Sequence, residues 1–189
     1  MRTLLVAFSI VLSGLSTAYA TGGKVWVFMD DQGTQCNLLD TPGVTQYQVV
    51  HELVPEGASS VSFIATLPTC HTGAWLSDTH VFPATTGDSQ TGVSVEYGGC
   101  LGGTFPVLTI NVETFGTTPS CCCFLVSGHP SSTSGQVEYV DCLGDTHVAA
   151  NDLGRPINAD FTCSCECLPP VLPVERSSWG AIKSIFSSR

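Results

Sequence analysis

The chain has 189 residues, of which 43% are hydrophobic and only 12% are charged, and its formal net charge is −10. Residues 21–168 contain fifteen acidic side chains and only two basic ones, Lys24 and Arg155. Such a domain repels phosphate backbones and anionic lipid head groups, so nucleic acid is not expected as a partner, and no later apolar run predicts a transmembrane helix.

Residues 1–20 predict a signal peptide for export. Arg2 supplies the positive start, residues 4–15 form the apolar stretch, and Ala18-Tyr19-Ala20 matches an A-x-A cleavage site. The predicted localisation is therefore secreted or extracellular, with attachment to the cell surface as an alternative.

Residues 21–168 predict a single all-β domain. Two of its runs alternate clearly: Val93, Val95 and Tyr97 face one way, and the apolar set of 107–114 faces away from Thr109, Asn111 and Glu113. This pattern is typical of antiparallel strands with one solvent-exposed face. The predicted strands are 24–29, 46–53, 60–67, 91–97, 107–114, 122–126 and 136–141, with weaker candidates at 79–82 and 146–149.

Turn-forming residues between these runs predict chain reversals at 41–43, 55–57, 98–99, 102–103 and 128–130, where Gly and Pro supply the required φ angles. Seven to nine short strands predict an antiparallel β-sandwich. Immunoglobulin-like and jelly-roll topologies both remain open.

Ten cysteines in an exported chain predict disulfide bonds. They are Cys36, Cys70, Cys100, Cys121, Cys122, Cys123, Cys142, Cys163, Cys165 and Cys167. On an extended strand Cys121 and Cys123 face one side and Cys122 the other, and next-neighbour bridges are too strained to form, so each cysteine of the triplet should bond a distant partner. The connectivity remains open.

A thiol metal site is the alternative interpretation of the clustered cysteines, because thiolates bind Zn²⁺ or Cu(I). The C-x-C-x-C spacing of 163–167 differs from the paired C-x-x-C of zinc motifs. We therefore expect structural disulfides and no cofactor. Asp30, Asp31 and Asp40 form a weak candidate for Ca²⁺, but the segment lacks the alternating acidic positions of an EF-hand loop and more closely resembles a turn.

The Gly87-Asp88-Ser89 segment resembles the surroundings of the nucleophile in serine hydrolases, with His51, His71 and His80 upstream as candidate bases. The glycines that would shape an oxyanion hole are missing, since Gln90 and Thr91 follow. A turn is the favoured interpretation. Catalytic activity is uncertain, and the sequence leans towards a protein that is not an enzyme.

Residues 169–177 predict a proline-rich linker and residues 178–189 a short helical tail. The tail places Trp179, Ile182, Ile185 and Phe186 on one apolar stripe, with Lys183 beside it. A helix this short is unstable alone, so it requires a partner. We expect these five residues to be recognised by export or sorting machinery; docking onto the domain and insertion into a membrane interface are the alternatives.

The chain resembles a group of uncharacterised secreted bacterial proteins. The resemblance rests on Asp30-Asp31-Gln32-Gly33-Thr34-Gln35-Cys36, Tyr97-Gly98-Gly99-Cys100, Val140-Asp141-Cys142, Thr162-Cys163-Ser164-Cys165 and the tail Val174-Glu175-Arg176-Ser177-Ser178-Trp179-Gly180-Ala181-Ile182-Lys183. It implies export and a shared C-terminal tail, and it says nothing about catalysis.

Taken together, the sequence predicts a secreted, non-catalytic interaction or structural module with a C-terminal sorting or attachment tail, and a protein or glycan partner outside the cell. Two alternatives remain: a secreted hydrolase that uses Ser89 or a carboxylate pair, and a thiol metal-binding protein. An exposed aromatic row on a sheet face would favour glycan as the partner.

Overall fold

The computed structural model describes residues 23–150, 154–160 and 162–165. This part of the chain is all-β, and all its strand pairs are antiparallel. The strands are β1 (Lys24–Phe28), β2 (Gly43–Ile64), β3 (Gly73–His80), β4 (Ala84–Asp88), β5 (Gly92–Thr114), β6 (Cys122–Phe124), β7 (Ser127–Gly128), β8 (Glu138–Asp141), β9 (Thr146–Val148) and β10 (Arg155–Ile157). Over these residues, the structure contains no helix with the length and apolar character needed to cross a membrane.

Two long strands organise the molecule. The first half of β2 pairs with β1 and with the second half of β5, which in turn pairs with β3. The second half of β2 pairs with β8, and the first half of β5 pairs with β4. β9 extends this part beyond β8, β7 pairs with the end of β2, and β6 and β10 form a separate two-stranded ladder. Each long strand therefore contributes to both layers of the fold.

The inward side chains of both layers belong to one hydrophobic core. Tyr47 and Ile110 come from the layer of β1 and β3, whereas Phe63 and Val95 come from the layer of β4 and β8, and all four are fully buried. Phe124 of β6 meets the ring of Tyr47 edge-on, with centroids 5.8 Å apart. The predicted antiparallel β-sandwich is thereby confirmed.

The predicted reversals at 55–57, 98–99 and 102–103 are wrong, because the chain continues through all three as strand. The β2–β5 register shifts between Leu53 and Ala58, and Gly57 and Gly103 adopt φ values of 68° and 85°. A β-bulge inserts unpaired residues and bends a strand without ending it, and glycine accepts the left-handed conformation that this requires. Segments 46–53 and 60–67 are therefore one strand, as are 91–97 and 107–114.

A smaller apolar cluster lies on the opposite side of β1 and β2 and consists of Phe28, Cys36 and Val50 with Trp26. The guanidinium of Arg155 lies 3.5 Å from the ring centroid of Trp26, and the ammonium of Lys24 lies 5.0 Å from it. Both basic side chains of residues 21–168 thus make cation–π contacts with one indole.

Four disulfide bonds join Cys70 to Cys122, Cys100 to Cys142, Cys121 to Cys163 and Cys123 to Cys165. Cys36 is also disulfide-bonded, and Cys167 lies outside the described residues. The prediction that the Cys121-Cys122-Cys123 triplet bonds distant partners is confirmed. Cys121 and Cys123 both bond to the segment 163–165, whereas Cys122 bonds to Cys70, which precedes β3. Disulfides of this number are typical of an oxidising compartment.

Candidate functional site

The exposed side of the β2–β5–β3 layer presents a regular grid of nine side chains, which we call the outer face. Cross-strand pairing aligns them in three rows. The rows are Val44–Glu113–Ala74, Gln46–Asn111–Ser77 and Gln48–Thr109–Thr79. The inward neighbours on β5, such as Ile110 and Val112, are fully buried, so alternation along the strand forces these nine side chains outward.

Amide and hydroxyl groups connect the two polar rows across the three strands. Gln46 donates from Nε2 to Oδ1 of Asn111 at 3.0 Å, and Asn111 donates from Nδ2 to Oγ1 of Thr79 at 3.1 Å. Thr109 donates its hydroxyl to Oε1 of Gln48 at 2.7 Å. Such a network holds side chains that would otherwise be mobile in fixed positions on the sheet.

The outer face carries one formal charge, that of Glu113, although the protein as a whole has a net charge of −10. Apolar side chains border the polar rows. Val44 is 68% exposed, and Leu76, at the register shift of β3, is 46% exposed. The result is a flat, nearly neutral surface that combines hydrogen-bonding groups with apolar contacts.

Ser89 is not placed as a nucleophile. It is fully buried, its hydroxyl donates to Oδ1 of Asp78 at 2.9 Å, and it accepts from Nε2 of Gln90 at 2.9 Å. Asp88 caps the same turn by accepting from the backbone N–H groups of Gln90 and Thr91, both at 2.8 Å. The hydrogen bond from the Thr91 hydroxyl, with those backbone bonds, lowers the pKa of Asp88. The Gly-Asp-Ser segment is therefore a turn that ties β3 to the β4–β5 hairpin.

None of the described hydrogen bonds of the five histidines goes to Ser89. His51 bonds Tyr97, His129 bonds Ser131, and His147 bonds Asp141. The other two candidate bases also lie elsewhere: His80 ends β3, and His71 lies near Asp40, where burial lowers the pKa of the imidazole and the Asp40 carboxylate partly opposes that shift. The serine-hydrolase arrangement is not assembled.

Two surface depressions of the described chain contain an ionisable side chain. The larger is lined by Ser59, Ser60, Gly98 and Gly99 and contains one carboxylate, that of Glu96. The smaller lies between β1 and the segment 124–126 and has Arg155 as its one ionisable side chain. Neither brings together the two carboxylates that general acid–base chemistry would require.

The metal candidates are likewise not assembled. Asp30 caps its own turn, accepting from the backbone N–H of Thr34 at 2.8 Å, and Asp40 accepts from the backbone N–H of Thr118 at 2.7 Å. Burial raises the pKa of Asp40, but the hydrogen bonds from Thr118 outweigh this and the net pKa lies below its usual value. Within the described ranges, the oxygens of Asp30, Asp31 and Asp40 do not converge.

The thiol metal site has no free thiolate within the described part of the chain. Cys121, Asp160 and Cys163 place ligand atoms within 4.8 Å of one another, but the two sulfurs are bonded to each other. A sulfur in a disulfide is not the thiolate that a soft metal binds. The predicted tail residues Trp179, Ile182, Lys183, Ile185 and Phe186 lie outside the described residues.

Alternation along the sequence indicates only one column of the outer face, the outward residues Thr109, Asn111 and Glu113. The other two columns depend on which residues of β2 and β3 pair with them. That information is in the register and not in any local pattern.

No family model matches the chain, and no curated protein matches it. Among solved structures, the chain is similar to the sixth cohesin of scaffoldin B from Acetivibrio cellulolyticus, which was solved in complex with a Cel5 dockerin. The two chains are 15% identical, the match covers 74% of this chain and 99% of that one, and the TM-score is 0.48. A cohesin module of a family 33 glycoside hydrolase from Clostridium perfringens has 7% identity, coverages of 74% and 97%, and a TM-score of 0.48. A non-cellulosomal cohesin from Archaeoglobus fulgidus has 12% identity, coverages of 74% and 91%, and a TM-score of 0.43.

Proposed function

We propose that the protein is a secreted, non-catalytic interaction module that binds a protein partner through its outer face. The observation that supports this most directly is the grid of uncharged hydrogen-bonding side chains across β2, β5 and β3, bordered by exposed Val44 and Leu76. Mixed polar and apolar patches low in charge are typical of the central part of protein interfaces.

The outer face suits a partner that does not depend on charge for recognition. Gln48 uses its Oε1 to accept from Thr109, which leaves its two amide N–H groups available to a ligand. Because the network already fixes these side chains, less conformational entropy is lost when a partner binds. A flat face with outward amides and hydroxyls suits the backbone and polar side chains of another protein.

A glycan partner has less support. Sugar rings stack on exposed aromatic side chains, and the outer face contains none. Among the described aromatic residues, Trp75 is 36% exposed at the edge of the layer and Phe115 is 54% exposed beyond the end of β5. Two residues in different elements do not form an aromatic row.

The C-terminal residues 178–189 complete the proposal as an attachment or sorting tail that follows the linker 169–177. Residues 169–189 reverse the charge sign of the domain, with Arg176, Lys183 and Arg189 against Glu175. Together with the signal peptide, they would place the disulfide-bonded domain outside the cytoplasm and keep it near the cell.

Site-specific photo-cross-linking in producing cells tests the binding face. A benzoylphenylalanine at Ser77 of the outer face should form adducts with a partner. The matched control places it at Thr86, which is exposed on β4 and pairs with Ser94 of the other layer. Adducts at Thr86 and none at Ser77, or adducts at neither position, would contradict the proposed surface.

Fractionation tests the tail separately. We expect the full chain to be retained with the cell surface and a chain lacking residues 174–189 to be released. A chain with those residues in scrambled order keeps the composition but loses the apolar stripe, and should behave like the truncation. An unchanged distribution for both variants would refute the sorting role.

A further inference from the structure

A short covalent route connects the C-terminal end of the described chain to the outer face. Cys165 bonds Cys123, its neighbour Cys122 bonds Cys70, and Cys70 lies three residues before β3. β3 presents Ser77 and Thr79 on the outer face. Two disulfides and a few peptide bonds thus link the start of the linker and tail to the strand that borders the proposed binding surface.

We propose that this route is a tension path, which carries a pulling force from the C-terminal tail to the outer face without stretching the rest of the domain. The role rests on the proposed function, since only a module attached at its tail and bound at its face experiences such a force. The covalent route itself does not depend on that function.

Along the backbone, the same connection would pass through two loops, with sequence separations of 52 between Cys70 and Cys122 and 42 between Cys123 and Cys165. Fully extended, these loops would add roughly 3.4 Å per residue, or about 320 Å in total. The disulfides close both loops, so a force applied at the tail cannot peel apart the short strands β6 to β10 in sequence.

The segment at the exit depends on these bonds. The backbone N–H groups of Thr162 and Cys163 make local hydrogen bonds: the Thr162 N–H donates to Asp160 Oδ1 at 2.7 Å and the Cys163 N–H to Asp160 O at 3.4 Å. The described hydrogen bonds from residues 162–165 to Cys121 all involve a cysteine sulfur, and two disulfides join the same segment to Cys121 and Cys123. The covalent connection from this segment to β6 therefore runs through sulfur.

A second bridge makes the path redundant. Cys121 bonds Cys163 with the same sequence separation of 42, so the two bridges lie side by side like two rungs of a ladder. If the Cys123–Cys165 rung is lost, the path shifts to its neighbour and lengthens by about two residues. Both rungs must be removed before the second loop can extend.

Single-molecule force spectroscopy on the full mature chain tests the path. One handle is attached at the C-terminus and the other at an azidophenylalanine replacing Val81, which is exposed just after β3. Along the tension path, Val81 and Cys165 are separated by about 12 residues, or ~40 Å when extended, whereas the backbone between them spans about 84 residues, or ~290 Å. The bridge at Cys36 can only shorten the oxidised route.

We expect the contour length between Val81 and Cys165 to be no more than ~40 Å in the oxidised protein and ~290 Å in the protein reduced with dithiothreitol, with the 24 residues from 166 to the C-terminal handle adding the same ~80 Å to both. An oxidised protein that extends by ~290 Å would overturn the proposal. Equal extension in the two redox states would do the same. Reduction acts on the native sequence, so the test does not depend on whether a variant folds.

Paired serine substitutions locate the path. Removing the Cys123–Cys165 rung alone should change the extension by less than ~10 Å, and removing both rungs should raise it to as much as ~140 Å through the remaining Cys100–Cys142 bridge. Removing Cys100–Cys142, which is off the path, is the matched control and should leave ~40 Å. The route would be refuted if removing Cys100–Cys142 changed the extension strongly, or if removing both rungs left the extension unchanged. If the cross-linking or fractionation test failed, the force-carrying role in the cell would be lost, but the extensions measured by force spectroscopy would not change.

Discussion

Lowering the pH from 7 to 5 should destabilise the protein through His51. This side chain is fully buried on β2, with Nδ1 2.6 Å from the hydroxyl oxygen of Tyr97. The rings of Phe105 and Tyr139 lie 6.0 Å and 5.4 Å from it, and the imidazole of His147 stacks on the outer side of Tyr139. Burial lowers the pKa of His51 from 6.5 to about 3.

The sign and size of the effect follow from the two pKa values. The unfolded chain binds a proton at His51 below pH 6.5, whereas the folded chain leaves it neutral until about pH 3. The free energy of unfolding therefore has its full value above about pH 6.5 and decreases as the pH falls towards 3. At pH 5 the loss relative to pH 7 is about 2 kcal/mol. Burial also lowers the pKa of His71, which adds to the loss in the same direction.

Urea unfolding at pH 7 and pH 5, with the disulfides intact, measures this loss. The matched variant combines His51→Phe with Tyr97→Phe, which removes both polar partners together and leaves neither of them buried without a hydrogen bond. It should lose about 2 kcal/mol less than the native protein over the same pH interval. Equal losses in the two proteins, or a native protein equally stable at both pH values, would refute the assignment.

Three further changes should alter stability. Phe63→Ala empties a fully buried core position and should lower the free energy of unfolding by about 3–5 kcal/mol in urea, whereas Val44→Ala on the surface should change it by less than about 0.5 kcal/mol; similar effects would contradict the core assignment. Replacing Cys70 and Cys122 by serine opens a loop of 52 residues and should cost about 4 kcal/mol, seen as a lower Tm; an unchanged Tm would refute that bridge. Gly57→Ala places a side chain at a residue with φ 68° and its Cβ 2.8 Å from Leu101 O, so it should lower the free energy of unfolding by about 1–3 kcal/mol in the same urea assay. An unchanged free energy of unfolding would contradict the bulge at Gly57.

The core strands could be predicted from the sequence because burial of one face makes apolar and polar residues alternate along the strand. In β5, Val93, Val95, Ile110 and Val112 must be apolar since they face the core, so alternation alone identifies them. β3 and β4 lack that alternation. Most side chains of β3 are exposed or half-buried, so its sequence does not alternate, and only its last residues were predicted.

The bends of the long strands and the disulfide map are not local properties. A glycine with positive φ serves a reversal and a bulge equally well, and only pairing with a neighbouring strand distinguishes them. Gly57 lies beside Leu101 and the Cys100–Cys142 bridge, far away in sequence. Similarly, the outer face becomes a grid only when three strands, each bearing one polar column, adopt the observed register.

The contacts of both basic side chains of residues 21–168 with Trp26 bear on the protein's resistance to proteases. Trypsin-like proteases cut only after Lys or Arg, because the charge of their specificity pocket selects those side chains. Between Val25 and Arg176 the chain offers a single such residue, Arg155, which is buried, and the Arg155–Pro156 bond that follows it is of a kind that these enzymes cleave poorly. The scarcity of positive charge thus leaves residues 25–165 without a usable cleavage point for this class of protease.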